Sequence, residues 1–192
     1  MISIDARFDA LAASYLDEMK MLAKRAGNGH FDELSAGRLS RRQYANKQFK
    51  LAWNTMQASF LLGGGALEHG LARSYLRRMR KILKASAVAL AGDLFNGRYE
   101  SGGLDARLTL WVYTVAGAYQ RGMLIGFPLA RFVWKLGKTE VHCRTCLFYR
   151  NQRKFGWEWL LLEGQGILPQ GRGLECEGWQ CDCKLKRVRR RR

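Results

Sequence analysis

A chain of 192 residues, 47% hydrophobic and 11% aromatic, is long enough for one ordinary domain with a small appendage and too apolar to be disordered. Lys and Arg number 33 against 16 Asp and Glu, a net charge of +17, which implies a polyanionic partner: nucleic acid or an acidic protein surface. No apolar run reaches the roughly 18 residues of a membrane span, and the N-terminus lacks a signal-peptide layout, so no membrane partner and a reducing cytoplasm are expected.

Residues 4–26 read as an amphipathic helix, with Ile4, Phe8, Leu11, Tyr15, Met19 and Leu22 at steps of three and four and Asp5 in the first turn. Gly27-Asn28-Gly29 is expected to stop it. This helix either packs on its own domain or serves as a partner-binding arm. Ser40 and Gln43 have capping-box spacing, and Leu39 with Tyr44 can form a hydrophobic staple. A second helix is therefore expected over 41–62, with Phe49, Trp53, Met56 and Phe60 buried. Gly63-Gly64-Gly65 ends it as a turn, because no Gly-Lys-Ser/Thr follows to make a phosphate loop.

Residues 66–95 are helical again, with a break near Gly70. Tyr75, Met79, Ile82, Leu83, Leu90 and Leu94 form the apolar stripe, and Arg77, Arg78, Arg80, Lys81 and Lys84 form a basic face. A charged face is usually a solvated face. Five cations without an intervening acid nevertheless repel one another unless an anion lies near, so this face is also a candidate contact for nucleic acid or an acidic partner. Asn96-Gly97 ends the helix. Residues 104–124 follow as a fourth, with Leu108, Trp111, Val115, Tyr119 and Met123 inward. Residues 131–136 read as a strand with Phe132, Trp134 and Leu136 on one face.

The strand leads into His142-Cys143-Arg144-Thr145-Cys146, which Cys176 and then Cys181-Asp182-Cys183 answer. A C-x2-C turn grips one ion with two thiolates, and a C-x-C pair in extended chain puts both sulfurs on one face. The pattern predicts tetrahedral Zn²⁺ on Cys143, Cys146, Cys181 and Cys183, with Cys176 as substitute and His142 in a supporting role. Disulfides and unrelated buried thiols are the alternatives, the first weakened by an odd count of five. Between the clusters, a turn-rich loop with Trp157, Trp159, Leu160, Leu161 and Leu162 supplies a miniature core. The chain closes on Lys184, Lys186, Arg187, Arg189, Arg190, Arg191 and Arg192. Such a run reads as a localisation-type signal or as a phosphate-binding tail, and the basic character of the whole chain favours the second.

The expected fold is mainly α: a helical body over 1–130, a zinc-stapled α+β knob over 131–188 and a basic tail over 189–192. No H-E-x-x-H, G-x-S-x-G or Walker element is present, and four thiolates around zinc leave no open position for water, so no enzyme is expected.

Three features occur in an order that is familiar: the segment Asp105-Ala106-Arg107-Leu108 opening a helix, the aromatic strand Phe132-Val133-Trp134-Lys135-Leu136, and the run from Thr139 to Leu185. That run reads T-E-V-H-C-R-T-C, a Trp-rich loop, L-P-Q-G-R-G-L-E-C and C-D-C-K-L. This resembles the Mu-type minor head proteins, or head morphogenesis proteins, of tailed bacteriophages, over roughly residues 90–188. The family usually has an arginine between the last two cysteines, where this chain has Asp182, so no role of that arginine carries over. The resemblance implies a structural virion protein, built into the phage head near the portal vertex in the host bacterial cytoplasm. Its implied partners are portal, major capsid or scaffold protein and packaged double-stranded DNA, with self-association left open. A free zinc-dependent nucleic-acid-binding regulator is the alternative, although no recognition helix follows the C-x2-C at finger spacing.

Overall fold

The computed structural model describes residues 4–66, 69–98, 101–138, 141–169, 174–176 and 183–188, leaving out the side chains of 4–10, 13, 101–103, 105–107 and 109–115. The described residues form α1 (Ile4–Ser35), α2 (Arg41–Leu62), α3 (Gly70–Phe95), α4 (Ser101–Gly126), β1 (Arg131–Lys135), α5 (Arg144–Tyr149), β2 (Arg153–Phe155), α6 (Gly156–Gly164) and β3 (Lys184–Arg187). The fold is mainly helical, with a small antiparallel sheet near the C-terminus, as the sequence leads one to expect. None of the described helices is long and apolar enough to cross a membrane.

Two compact units share the chain. One comprises Met1–Ala58 and Arg73–Val115, the other Ser59–Ala72 and Ala116–Arg192. The cysteine-bearing unit thus takes in more than the expected 131–188 module, drawing on residues 59–72 and 116–130 as well.

In the first unit, α1 runs straight through Gly27-Asn28-Gly29 to Ser35. Gly27 is there for close approach, not termination. A Cβ on it would lie 2.7 Å from Leu108 Cδ2, and its carbonyl accepts from Gln48 Nε2 at 3.1 Å. The stop comes at Gly37, whose φ of 69° permits the 3.0 Å bond from its N–H to Leu34 O and the 2.8 Å bond from Arg38 N to Glu33 O. The expected apolar face of α1 is also rotated. Ala12 and Leu16 are buried, whereas Leu11, Tyr15 and Leu22 are more than half exposed.

The start of α2 follows local chemistry closely. Ser40 N donates to Gln43 Oε1 at 2.8 Å and Gln43 N donates back to Ser40 Oγ at 3.3 Å, the reciprocal capping box. Leu39 and Tyr44 join the same cluster, built on Tyr44, Ala45, Leu90, Ala91, Leu104 and Leu108. Met56 and Phe60 are buried as expected, but in the first half of the helix Tyr44, Gln48 and Ala52 take the inside, while Phe49 and Trp53 are only half-buried. Gly27 O accepts from the Nε2 of the buried Gln48.

In the second unit the strand order is β2-β1-β3, both pairings antiparallel. Arg131 to Val133 pair with Phe155 to Arg153, and Phe132 to Lys135 pair with Arg187 to Lys184. Leu124, Phe132, Trp134, Cys146, Trp159, Leu168, Leu174, Cys183 and Leu185 make the core. The outer side of β3 is occupied by the buried Gln120, whose Oε1 accepts from Leu185 N at 2.9 Å, a side-chain cover for a strand edge that would otherwise be open. Buried Arg121 pairs with Glu163 of α6.

The triple glycine ends α2 as expected, with Gly64 at φ 92°. It also allows backbone to meet backbone. A Cβ on Gly63 would lie 2.2 Å from Tyr119 O, one on Gly122 2.1 Å from Phe60 O, and one on Gly126 2.2 Å from Gly64 O. Carbonyls of packed backbone cannot move aside as a side chain would. Gly122→Ala is therefore expected to cost about 3 kcal/mol through overpacking. Gly29→Ala, with nothing within 4 Å of the new methyl, is expected to stabilise by about 0.5–1 kcal/mol through helix propensity. Urea unfolding midpoints of the two variants check both signs.

Candidate metal centre and basic faces

The sheet brings the two cysteine-bearing ends together. β1 runs toward His142 and Cys143, and Cys183 is the residue immediately before β3, so the β1–β3 pairing of Lys135 with Lys184 sets both ends at the same edge of the sheet. Cys183 Sγ lies 3.6 Å from His142 Nδ1, a contact spanning 41 residues of sequence. The cysteine pair Cys143 and Cys146 brackets the start of α5. Cys143 is its N-cap, and its sulfur accepts from Cys146 N at 3.4 Å. An N–H aimed at sulfur is the kind of outer contact that orients a metal-bound thiolate.

Cys176 reaches the same place by another route. Glu175 Oε2 accepts from Arg144 N at 2.6 Å, which anchors the neighbouring residue against the start of α5. Cys146 and Cys183 are buried and Cys143 and Cys176 half-buried, and all four pack in the core cluster of this unit. They are thiols rather than disulfides.

The donors suit zinc by chemistry: soft sulfur and imidazole within one cluster. Among the described residues, however, no group of three or more His, Cys, Asp and Glu side chains is placed to hold a metal ion. Cys181 and Asp182, which the sequence puts between Cys176 and Cys183, lie outside the described residues.

The segment between the cysteine clusters is not the loop expected from its glycines. It contains α5, β2 and α6. Phe155 N donates to Glu158 Oε2 at 2.6 Å, so Glu158 in the first turn caps α6. Trp159 is fully buried, with its ring 5.6 Å from Trp134 and 5.7 Å from Tyr149, and its Nε1 donates to Phe132 O at 3.3 Å. Trp157 and Leu161 instead face solvent, at 46% and 66% exposure.

Each described member of the basic set is exposed. Arg77, Arg78, Arg80, Lys81 and Lys84 line α3, and Lys186 and Arg187 lie on β3. The Arg187 guanidinium sits 4.3 Å above the Phe127 ring, and that of Arg80 5.9 Å from the Trp53 ring. Arg189, Arg190, Arg191 and Arg192 lie outside the described residues. Sequence reasoning missed Glu175, Gln120 and the Trp53–Arg80 pair. Only the last had a readable signal, an aromatic on the polar flank of one helix and a cation-rich helix after it. The chain matches no family model, no curated protein and no solved structure.

Proposed function

We propose that the chain is a structural, non-catalytic component of a tailed-phage head, in which Zn²⁺ staples the C-terminal unit and the basic faces meet a polyanion near the portal vertex. Convergence of Cys143, Cys146, Cys176 and Cys183 on one core, from three separate stretches of chain, is the observation that supports it. To hold the ion, Cys143, Cys146 and Cys183 would have to draw closer together than the described residues show, with Cys181 or Cys176 as the fourth donor. Zinc in an all-thiolate shell supplies rigidity and no open coordination position.

The head assignment rests on the likeness of residues 90–188 to phage minor head proteins, and the basic residues suit it. They would neutralise packaged DNA or an acidic face of a portal or shell protein. Mass spectrometry of purified virions and procapsids is the test. The chain is expected in few copies per particle, and its absence from both would overturn the assignment. A free nucleic-acid-binding regulator would instead be found only in the host cytoplasm.

A further inference from the structure

α2 contains no acidic residue, and α3 contains only Asp93, near its end. The two helices of the first unit pack antiparallel. The Arg41 guanidinium lies 2.7 Å from where a Cβ on Gly92 would sit, and the Arg80 guanidinium lies against Trp53, so partners descend along α3 as they ascend along α2. That register sets Phe49 and Lys50 level with Lys84. Arg73, Arg77, Lys81 and Lys84, at steps of four, four and three, form one exposed stripe. At about 1.5 Å per residue the stripe is about 16 Å long, a length over which one strand of a duplex presents about five phosphates.

The aromatic pair beside this stripe has a supporting part. Phe49 and Trp53 stack with centroids 6.4 Å apart and planes at 19°, both half-buried, and the Trp53 ring carries the Arg80 guanidinium. A ring already engaged this way orients the arginine fork toward the stripe and is no open platform for a base. A protein–protein interface would have an apolar centre depleted of charge, whereas this face is cationic along its length. We infer that the α2–α3 face binds the phosphate backbone of double-stranded DNA without base readout, through Arg77, Arg80, Lys81 and Lys84 with Trp53 as the residue that positions Arg80. The inference rests on the proposed polyanionic partner and assigns that partner at this face.

The test is fluorescence anisotropy of the full chain with a labelled duplex of arbitrary sequence, about 30 base pairs or three helical turns long, titrated between about 50 and 200 mM salt. Circular dichroism first establishes that each variant is folded. The combined Arg77→Ala, Lys81→Ala and Lys84→Ala variant is expected to lower the slope of log K against log salt by about 2.7, three lost phosphate contacts at about 0.9 each. Trp53→Leu is expected to lower it by about one contact's worth. An unchanged slope in the triple variant would overturn the assignment of this face while leaving a polyanionic partner in place. Tighter binding of a single strand of equal charge, or binding of polyglutamate but not of duplex, would also overturn it. Failure of the wild-type chain to bind either duplex or polyglutamate would sink the proposed function along with it.

Discussion

Removal of zinc by a chelator is expected to unfold the C-terminal unit and to leave the helices of the first unit formed. The sheet that would carry the ion has strands of five, three and four residues, short for independent stability. The pieces that bring the cysteines together are the six-residue α5 and the segment held by Glu175. A small core of this kind rarely supplies more than about 3–5 kcal/mol by itself, whereas structural zinc contributes apparent free energies of about 10–16 kcal/mol. The proposed ion would therefore outweigh the packing around it. Near-ultraviolet circular dichroism, to which the stacked Trp134, Tyr149 and Trp159 rings contribute, should collapse on chelation and return on adding Zn²⁺. Far-ultraviolet helicity should fall only in part. Cys143→Ser and Cys183→Ser should each reproduce the apo spectrum. A near-ultraviolet spectrum indifferent to chelation would mean that packing, not metal, holds the unit.

The second large effect is expected at Trp159. It is fully buried, packs on Trp134 and Tyr149, and donates its indole N–H to Phe132 O in the central strand. Trp159→Ala removes a large apolar surface, leaves a cavity and removes the indole hydrogen bond to the Phe132 carbonyl. The first two alone cost about 3–5 kcal/mol, and the lost bond adds about 1 kcal/mol or more. Trp157, two residues away and 46% exposed, is the control: Trp157→Ala should change stability by about 1 kcal/mol or less. Urea unfolding followed by tryptophan fluorescence separates the two. Equal effects at both positions would contradict the packing described for α6.

These contrasts show which features were legible in the sequence. The bounds of α2 were, because the Ser40–Gln43 box at one end and the glycines after Leu62 at the other are local chemistry. The end of α1 was not. Gly27 carries the same letter as a helix stop, but Leu108 and Gln48, distant in sequence, decide what it does. In the first half of α2 the buried face slipped by one position: hydrophobicity favoured Phe49 and Trp53, whereas Gln48, whose Nε2 donates to the distant Gly27 O, took the inside. α6 was hidden because its run Trp159-Leu160-Leu161-Leu162 has no helical alternation of polar and apolar positions.

At the candidate centre the spacing of Cys143 and Cys146 foretold a tight turn, and the structure makes it the start of α5. That Cys183 would arrive beside His142 was legible only as an expectation. Its cause is the β1–β3 pairing, a long-range event. The bond from Arg144 N to Glu175, which carries Cys176 to the same core, leaves no mark in local composition. Basic surface was easier to read, because charge is additive along a helix. Which neighbour orients each cation was not, as Trp53 beneath Arg80 illustrates.

X-ray absorption at the zinc edge, on chain purified without added chelator, tests the staple most directly. The account predicts one zinc per chain with a first shell of sulfur, or of sulfur with one nitrogen, at Zn–S distances of about 2.3 Å. Folded protein without zinc, or zinc bound only by oxygen and nitrogen, would contradict it.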